Sequence, residues 1–218
     1  MHFDHPELII TILLSPLYRL IPWTKHRASG GDPGARLAVN VAFVDIKSAF
    51  DSVDRIALWK ALRAKGVPDI LLQLIEDLHT HTGATIRIGR KLSKRFATTS
   101  GVRQGCVLAP ALFLVAIDWI LQHLAPHVGI DVGQHHFTDL TYADDTAIFM
   151  PDTSQATNIL QTFNSMAAPL GLKLSWTKTK LQNIGAGDPP STFSLDGIPV
   201  EGVEEFTYLG SKQCSTGY

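Results

Sequence analysis

A chain of 218 residues, 45% hydrophobic and 18% charged with a formal net charge of −1, has room for one large domain or two small ones and the composition of a globular protein. That balance excludes a disordered chain and a polycation, so any contact with nucleic acid has to come from local patches. Its two cysteines, Cys106 and Cys214, lie far apart without metal-ligand spacing. They give neither a disulfide framework nor a zinc site, and a reducing compartment fits best.

The first apolar stretch, "LIITILLSPLYRLI", is shorter than a bilayer span and is broken by Ser15, Pro16 and Arg19. It lacks a basic leader and a small-residue cleavage site, so neither a signal peptide nor a membrane anchor is expected. "KHRASGGDPGAR" reads as a loop or join. "NVAFVDI" then reads as a short buried strand ending in Asp45. Asp51 and Asp54 precede a helix with Ile56, Trp59 and Leu62 at helical spacing, stopped by Gly66 and Pro68. Carboxylates at that place cap amides and suit the helix dipole, so both are assigned to structure. A second amphipathic helix carries Ile70, Leu71, Leu74, Ile75 and Leu78.

"ATIRIGRKLSKRFATTSG" has two alternating runs about a Gly-Arg-Lys turn, which predicts a β-hairpin. It lies in a window free of acids between Asp77 and Asp118 that holds Arg87, Arg90, Lys91, Lys94, Arg95 and Arg103. Such a strip is either a solvated surface or a phosphate-binding one. "PALFLVAIDWILQHLAP" begins at a helix-favourable Pro110 and is apolar on several sides, as a largely buried helix is. "LTY" and "TAIFM" flank Ala143, Asp144 and Asp145, placing the aspartates in a tight hairpin turn. Residues 152–170 read as an amphipathic helix, "GLKL" as a strand, "FSLDGIPV" as a hairpin with an Asp-Gly turn, and "FTYLGS" as one more short strand.

Adjacent aspartates in a turn are usually surface residues serving the local backbone. Apolar flanks on both sides argue for a buried hairpin here, and buried carboxylates need a cation or several donors. No Lys or Arg lies between Arg103 and Lys173, which removes a local ion pair and leaves a hard divalent metal as the natural partner. Asp45, at the end of another buried strand, is either a strand-end cap or a third carboxylate for the same platform. Three such groups can hold two magnesium ions for nucleotidyl transfer.

Five blocks, "AFVDIKSAFDSVDR", "SGVRQGCVLAPALFLVAID", "TYADDTAIF", "GLKLSWTKTKL" and "FTYLGS", occur in the order of one family. The chain resembles the palm of a non-LTR (LINE-type) retrotransposon reverse transcriptase over roughly residues 39–211. The resemblance implies an α+β right-hand palm, an antiparallel sheet backed by helices, over residues 39–218, with 1–38 a poorly matching segment and a possible remnant of the fingers. It implies an RNA-directed DNA polymerase using two Mg²⁺ ions (Mn²⁺ being an alternative), an RNA template, a DNA primer and deoxynucleoside triphosphates. No membrane partner is expected, and nuclear location follows from the family's site of action.

By the same resemblance Asp45, Asp144 and Asp145 are the metal-holding acids, and Ile46 offers a backbone carbonyl. Phe50 is the aromatic platform under the sugar, or a core residue, or both. Gln104 and Gly105 lie against the incoming nucleotide. Lys178 serves the departing pyrophosphate, with Lys180 as its competitor. Tyr208, Leu209 and Gly210 form the hairpin that grips the primer, although Tyr208 also suits ordinary core. Ala109 stands where the family usually has serine and Ser175 where asparagine is common. Fingers and thumb are not recognisable, which makes weak nucleotide binding with poor extension the expectation and an inactive palm acting as a binding module the alternative. An RNA-directed RNA polymerase is disfavoured by "YADD" together with Phe50.

Overall fold

The computed structural model describes residues 39–132, 134–185 and 188–215. The apolar stretch at 8–21 and the loop at 25–36 lie outside them.

Three segments build the centre. β1 (Val39–Val44) is extended because β-branched and aromatic residues fill a pleat buried on both faces. β9 (Asp145–Met150) and β10 (Lys180–Ile184) flank it, both antiparallel, with Val44 opposite Thr146 and Phe43 opposite Lys180. β8 (Asp139–Tyr142) closes one edge against β9. At the other edge β11 (Phe193–Leu195) and β12 (Ile198–Gly202) form the Asp196-Gly197 hairpin. The sheet order is β11-β12-β10-β1-β9-β8. The expectation of an antiparallel sheet holds except between β10 and β12, which run parallel because a hairpin follows β10 instead of a simple reversal.

Alternation divides the sheet into two covered faces. Ala42, Val44, Ile148, Met150 and Leu181 face the helices. These are α1 (Ala49–Ser52), α2 (Arg55–Ala64), α3 (Asp69–His79), α4 (Ala109–Leu124) and α5 (Ala156–Ala167). α4 packs against α2 and α5 and buries Phe113, Ala116, Ile117, Ile120 and Leu124. With the turn that follows it, α4 is long and apolar enough by length and composition to cross a membrane, but its apolar sides are spent on this core.

The opposite face carries Val41, Phe43, Ala147 and Phe149. Two hairpins lie at this face: β6 (Ile130–Val132) with β7 (His135–Phe137), and β13 (Glu205–Tyr208) with β14 (Ser211–Cys214). Phe206 stacks on Phe43 with centroids 4.5 Å apart. Gln182 of β10 fixes the second hairpin by donating its amide to the carbonyls of Glu204 and Gln213.

Four details depart from the sequence reading. "GLKL" gives only an isolated bridge, Leu174 with Ile46, because the regular strand begins at Lys180. In α2 the buried residues are Leu58, Ala61 and Leu62, whereas Ile56 is exposed. α3 buries Leu72 and His79, so Ile70, Leu71, Leu74 and Leu78 lie on its exposed side. The basic hairpin forms, as β2 (Gly83–Ala84) with β5 (Phe96–Ala97) and β3 (Arg87–Ile88) with β4 (Lys91–Leu92), but as a largely exposed finger with Ile86, Ile88 and Leu92 in solvent.

Candidate active site

The strand registers place the candidate residues without reference to their chemistry. Continuing the β1–β9 pairing one step beyond Val44 and Thr146 sets Asp45 opposite Asp145. Continuing the β1–β10 pairing two steps beyond Phe43 and Lys180 sets Lys178 opposite Asp45. Lys178, Asp45 and Asp145 thus form a row across one end of the sheet. All three follow the parity of Phe43 and Ala147, so they belong to the face that carries Phe206 and Tyr208. A cleft of about 360 Å³ opens there, lined by these three residues together with Thr177, Phe206 and Tyr208.

Asp144 occupies the turn beside the row. Tyr142 pairs with Asp145, leaving Ala143 and Asp144 as a two-residue connection, and Ala143 takes a left-handed φ of 55°. The expectation of two buried carboxylates needs correction: Asp144 is half-buried and Asp145 is exposed. The apolar flanks bury the strands, but their carboxylates emerge where the strands end.

No ion pair reaches Asp144 or Asp145 among the described residues, but Lys178 pairs with Asp45. Its Nζ lies 3.3 Å from Asp45 Oδ1, brought from 133 positions away by the β1–β10 pairing. Ser175 braces this approach. It donates its amide to the Asp45 carbonyl at 2.8 Å, and its own carbonyl receives the amides of Lys178 and Thr179. Lys180, the competitor, is committed elsewhere, bonding Glu201 at 2.7 Å and the Thr177 carbonyl at 2.9 Å.

One acceptor is left over. Asp45 Oδ2 is buried and has no hydrogen-bond partner among the described residues. An orphaned carboxylate oxygen is costly unless a cation or donor completes it. Asp145 carries the complementary signature: partial burial, then the charges of Asp144 and Asp45, hold its carboxyl above the ordinary range despite the opposing effect of Lys178. These hard oxygen donors fit a divalent cation such as magnesium. Among the described residues, no three His, Cys, Asp or Glu side chains stand together as a finished metal cage. The Ile46–Leu174 bridge is closed by Lys47 N–H to Lys173 O and Ser175 N–H to Asp45 O, so among the described residues the bridge does not use the Ile46 carbonyl.

The remaining candidates lie around this row. Phe50 is half-buried and stacks on Phe113 of the core, centroids 4.7 Å apart. Gln104 is exposed and donates its amide to Asp51 Oδ1 at 3.2 Å. Asp51 is therefore tied to this loop, whereas Asp54 caps α2 through the Ala57 amide as expected. Gly105 has φ 81°, a conformation that suits glycine, with open space around it. Tyr208 is half-buried near Phe43, and its hydroxyl donates toward the carbonyls of Leu140 and Asp145 at 2.9 and 3.2 Å. Burial first, then Asp145 and Asp139, raise its pKa well above the ordinary value and keep the hydroxyl protonated. Leu209 and Gly210, at φ 49° and 77°, make the turn beyond it. The 130–137 hairpin and the structural use of Ser175 were not read from sequence; the first consists of two three-residue strands that carry Asp131, His135 and His136, and the second acts through its backbone.

The reverse transcriptase (RNA-dependent DNA polymerase) family matches residues 26–212. The chain belongs to that family. The match opens ahead of β1. The chain is 26% identical over 188 residues to the retrovirus-related Pol polyprotein of the type-2 retrotransposable element R2DM of Drosophila melanogaster, covering 81% of this chain and 18% of that protein. It is 28% identical over 190 residues to the Pol polyprotein of a type-1 element R2 of Popillia japonica, covering 82% of this chain and 31% of that protein. The chain thus spans less than a third of the length of these non-LTR relatives. Apo telomerase of Candida tropicalis, truncated from its C-terminal domain, shares the fold with TM-score 0.52 and 14% identity over 99% of this chain and 40% of that one.

Proposed function

We propose that this reverse transcriptase domain performs RNA-directed DNA synthesis through the row of Asp45 and Asp145, with Asp144 beside them, as part of a non-LTR retrotransposon enzyme. The single observation that carries the reading is Asp45: its Oδ2 is a buried acceptor without a partner among the described residues, in a row with Asp145 whose own carboxyl is pushed up by partial burial and then by the charges of Asp144 and Asp45. Two magnesium ions, with manganese as a substitute, supply activation of the primer 3′-hydroxyl and neutralisation of the triphosphate when bound. Asp45, Asp144 and Asp145 would hold them, and the carbonyl of Ile46 would add a neutral donor.

Lys178 is exposed enough to turn from Asp45 toward a leaving group, and as an ammonium it donates a proton to, or balances the charge of, departing pyrophosphate. Phe50, fixed by Phe113, presents a ring that excludes a ribose 2′-hydroxyl. Gln104 and Gly105 border the incoming deoxynucleotide and the templating base. The Tyr208-Leu209-Gly210 turn holds the primer strand near Asp145. An RNA template and a DNA primer are the partners, residues 39–218 are the palm, and the nucleus is the place of action.

A second reading, a palm that binds nucleic acid or a protein without extending a primer, is favoured by the Lys178–Asp45 contact and by the lack of a finished cage among the described residues. Primer extension on an RNA template with magnesium and deoxynucleotides separates the two. Extension by this chain that is lost in the Asp144→Asn, Asp145→Asn double variant supports the polymerase. Binding of the primer-template without extension, under conditions that activate an intact relative, supports the second reading.

A further inference from the structure

Arg55 closes the first sequence block, yet nothing in the reaction outlined above uses it. It is half-buried at the start of α2, and its guanidinium meets no carboxylate among the described residues. Instead it donates entirely to neutral oxygens. Nε bonds the Gly101 carbonyl at 2.8 Å and one terminal nitrogen bonds the Ser100 carbonyl at 2.9 Å. The other terminal nitrogen bonds the His79 carbonyl at 2.8 Å and the Thr82 hydroxyl at 2.9 Å, and reaches the Thr98 carbonyl at 3.2 Å. Burial lowers its pKa, the mark of a cation partly withdrawn from water.

These acceptors come from three places: the end of α3, the base of the basic hairpin and the strand-to-helix loop that carries Gln104. The same loop is sewn to α1 by other bonds. Gly101 N–H reaches the Val53 carbonyl and Val102 N–H the Phe50 carbonyl, both at 2.8 Å, and Ser100 donates to the Asp51 carbonyl. Gly101 approaches so closely that a Cβ there would sit 2.7 Å from the Asp51 carbonyl oxygen. The loop borders a polar cleft of about 820 Å³ lined in part by Arg95, Arg103 and Gln104. A planar fork with five N–H donors suits this convergence of carbonyls, and a lysine cannot match it.

We propose that Arg55 is a positioning residue that sets the 98–104 loop, and through it Gln104, for the incoming nucleotide. The proposal rests on the polymerase reading for its last step, and its first step is testable without it. In the full 218-residue chain, Arg55→Lys keeps the charge and loses the fork. Amide hydrogen exchange at Gly101 and Val102 then speeds up by roughly tenfold or more while exchange in β1 and β9 is unchanged. Unchanged exchange at those two amides in both Arg55→Lys and Arg55→Ala overturns the proposal whatever the polymerase does.

The second step is read by deoxynucleotide affinity in the presence of magnesium, for Arg55→Lys, Gln104→Ala and the pair. If Arg55 acts through Gln104, each single change weakens affinity and the double variant is no weaker than the weaker single one. Fully additive losses overturn the coupling. A wild-type chain that binds no nucleotide counts against the polymerase reading and against the second step, and leaves the exchange result to decide the first. Arg55→Ala is the fallback should Arg55→Lys prove indistinguishable in melting and exchange; if it too leaves the two amides unchanged, the loop does not depend on Arg55.

Discussion

The two ends of the chain's chemistry are built differently. At the carboxylate row, three central strands converge, Ser175 fixes the lysine turn and Tyr208 ties a hairpin to the carbonyl of Asp145. At the basic hairpin, Arg87, Arg90, Lys91, Lys94 and Arg103 form no ion pair among the described residues, and Ile88 and Leu92 stand in solvent beside them. The first region has paired its backbone and left one buried oxygen unmet; the second has left whole side chains unmet. The proposed reaction would need precise placement at the row, whereas a polyanion, if one binds the hairpin, can be met by charges that are merely present on a surface.

The largest effect that would break this contrast is at the row. Asp45→Asn or Asp145→Asn should reduce extension by on the order of a hundredfold or more, because each removes charge stabilisation that water cannot replace there. Folding should survive: Asp145→Asn removes a carboxyl whose native pKa is raised, which is stabilising once that group would otherwise ionise. A raised native pKa means the folded protein holds this proton more tightly, so stability is full below the ordinary aspartate range and declines as pH rises through the raised value. Melting followed across that acidic window should show a flatter profile in Asp145→Asn than in the parent chain.

Lys178 sharpens the comparison next. Lys178→Gln should lower the rate of extension by roughly a hundredfold, in the range of one general acid, while Lys180→Gln changes it less than tenfold. Single-turnover rates for the two variants decide this, since equal losses would mean that Lys178 has no role that Lys180 lacks, and a larger loss in Lys180→Gln would move the role to the Lys180–Glu201 pair. Phe50→Ala should raise ribonucleotide use, by about 1–3 kcal/mol of lost discrimination, and also weaken the core at Phe113. Competition between ribo- and deoxynucleotides reads the first, and unchanged selection would remove Phe50 from the sugar side.

Much of this arrangement was legible in the residues. The strand "NVAFVDI", the hairpin about Asp144 and the buried helix after Pro110 follow from pattern and turn chemistry alone. What the sequence could not carry is the row itself. Lys178 and Asp45 meet only because Phe43 pairs with Lys180, a register set by which faces of β1 and β10 are apolar. The exposed stripe of α3 was misleading for the opposite reason: periodicity reveals that a helix has an apolar side, not which side the fold covers, and here Leu72 and His79 face inward. The role of Arg55 was not legible because four of its five acceptors are backbone carbonyls, which leave no trace in side-chain identity.

Smaller effects belong to the hairpins. Tyr208→Phe removes a donor to the Leu140 and Asp145 carbonyls and should cost about 1 kcal/mol in stability by denaturant unfolding. His136 bridges Asp131 and the Val128 carbonyl, and the Asp131 hydrogen bond leads in raising its pKa. That stabilisation is full below the ordinary histidine range, near pH 6.5, and is lost as pH rises through the raised value. Exchange protection in the 130–137 hairpin should fall correspondingly, and His136→Gln should abolish the dependence.

Whether Asp45 and Asp145 receive a divalent cation is decided by titrating manganese into the 218-residue chain and following free ion by electron paramagnetic resonance, with Asp45→Asn and Glu201→Gln alongside. Saturable binding in the parent chain and in Glu201→Gln, lost in Asp45→Asn, is the predicted result; equal binding by all three, or none by the parent, would contradict it.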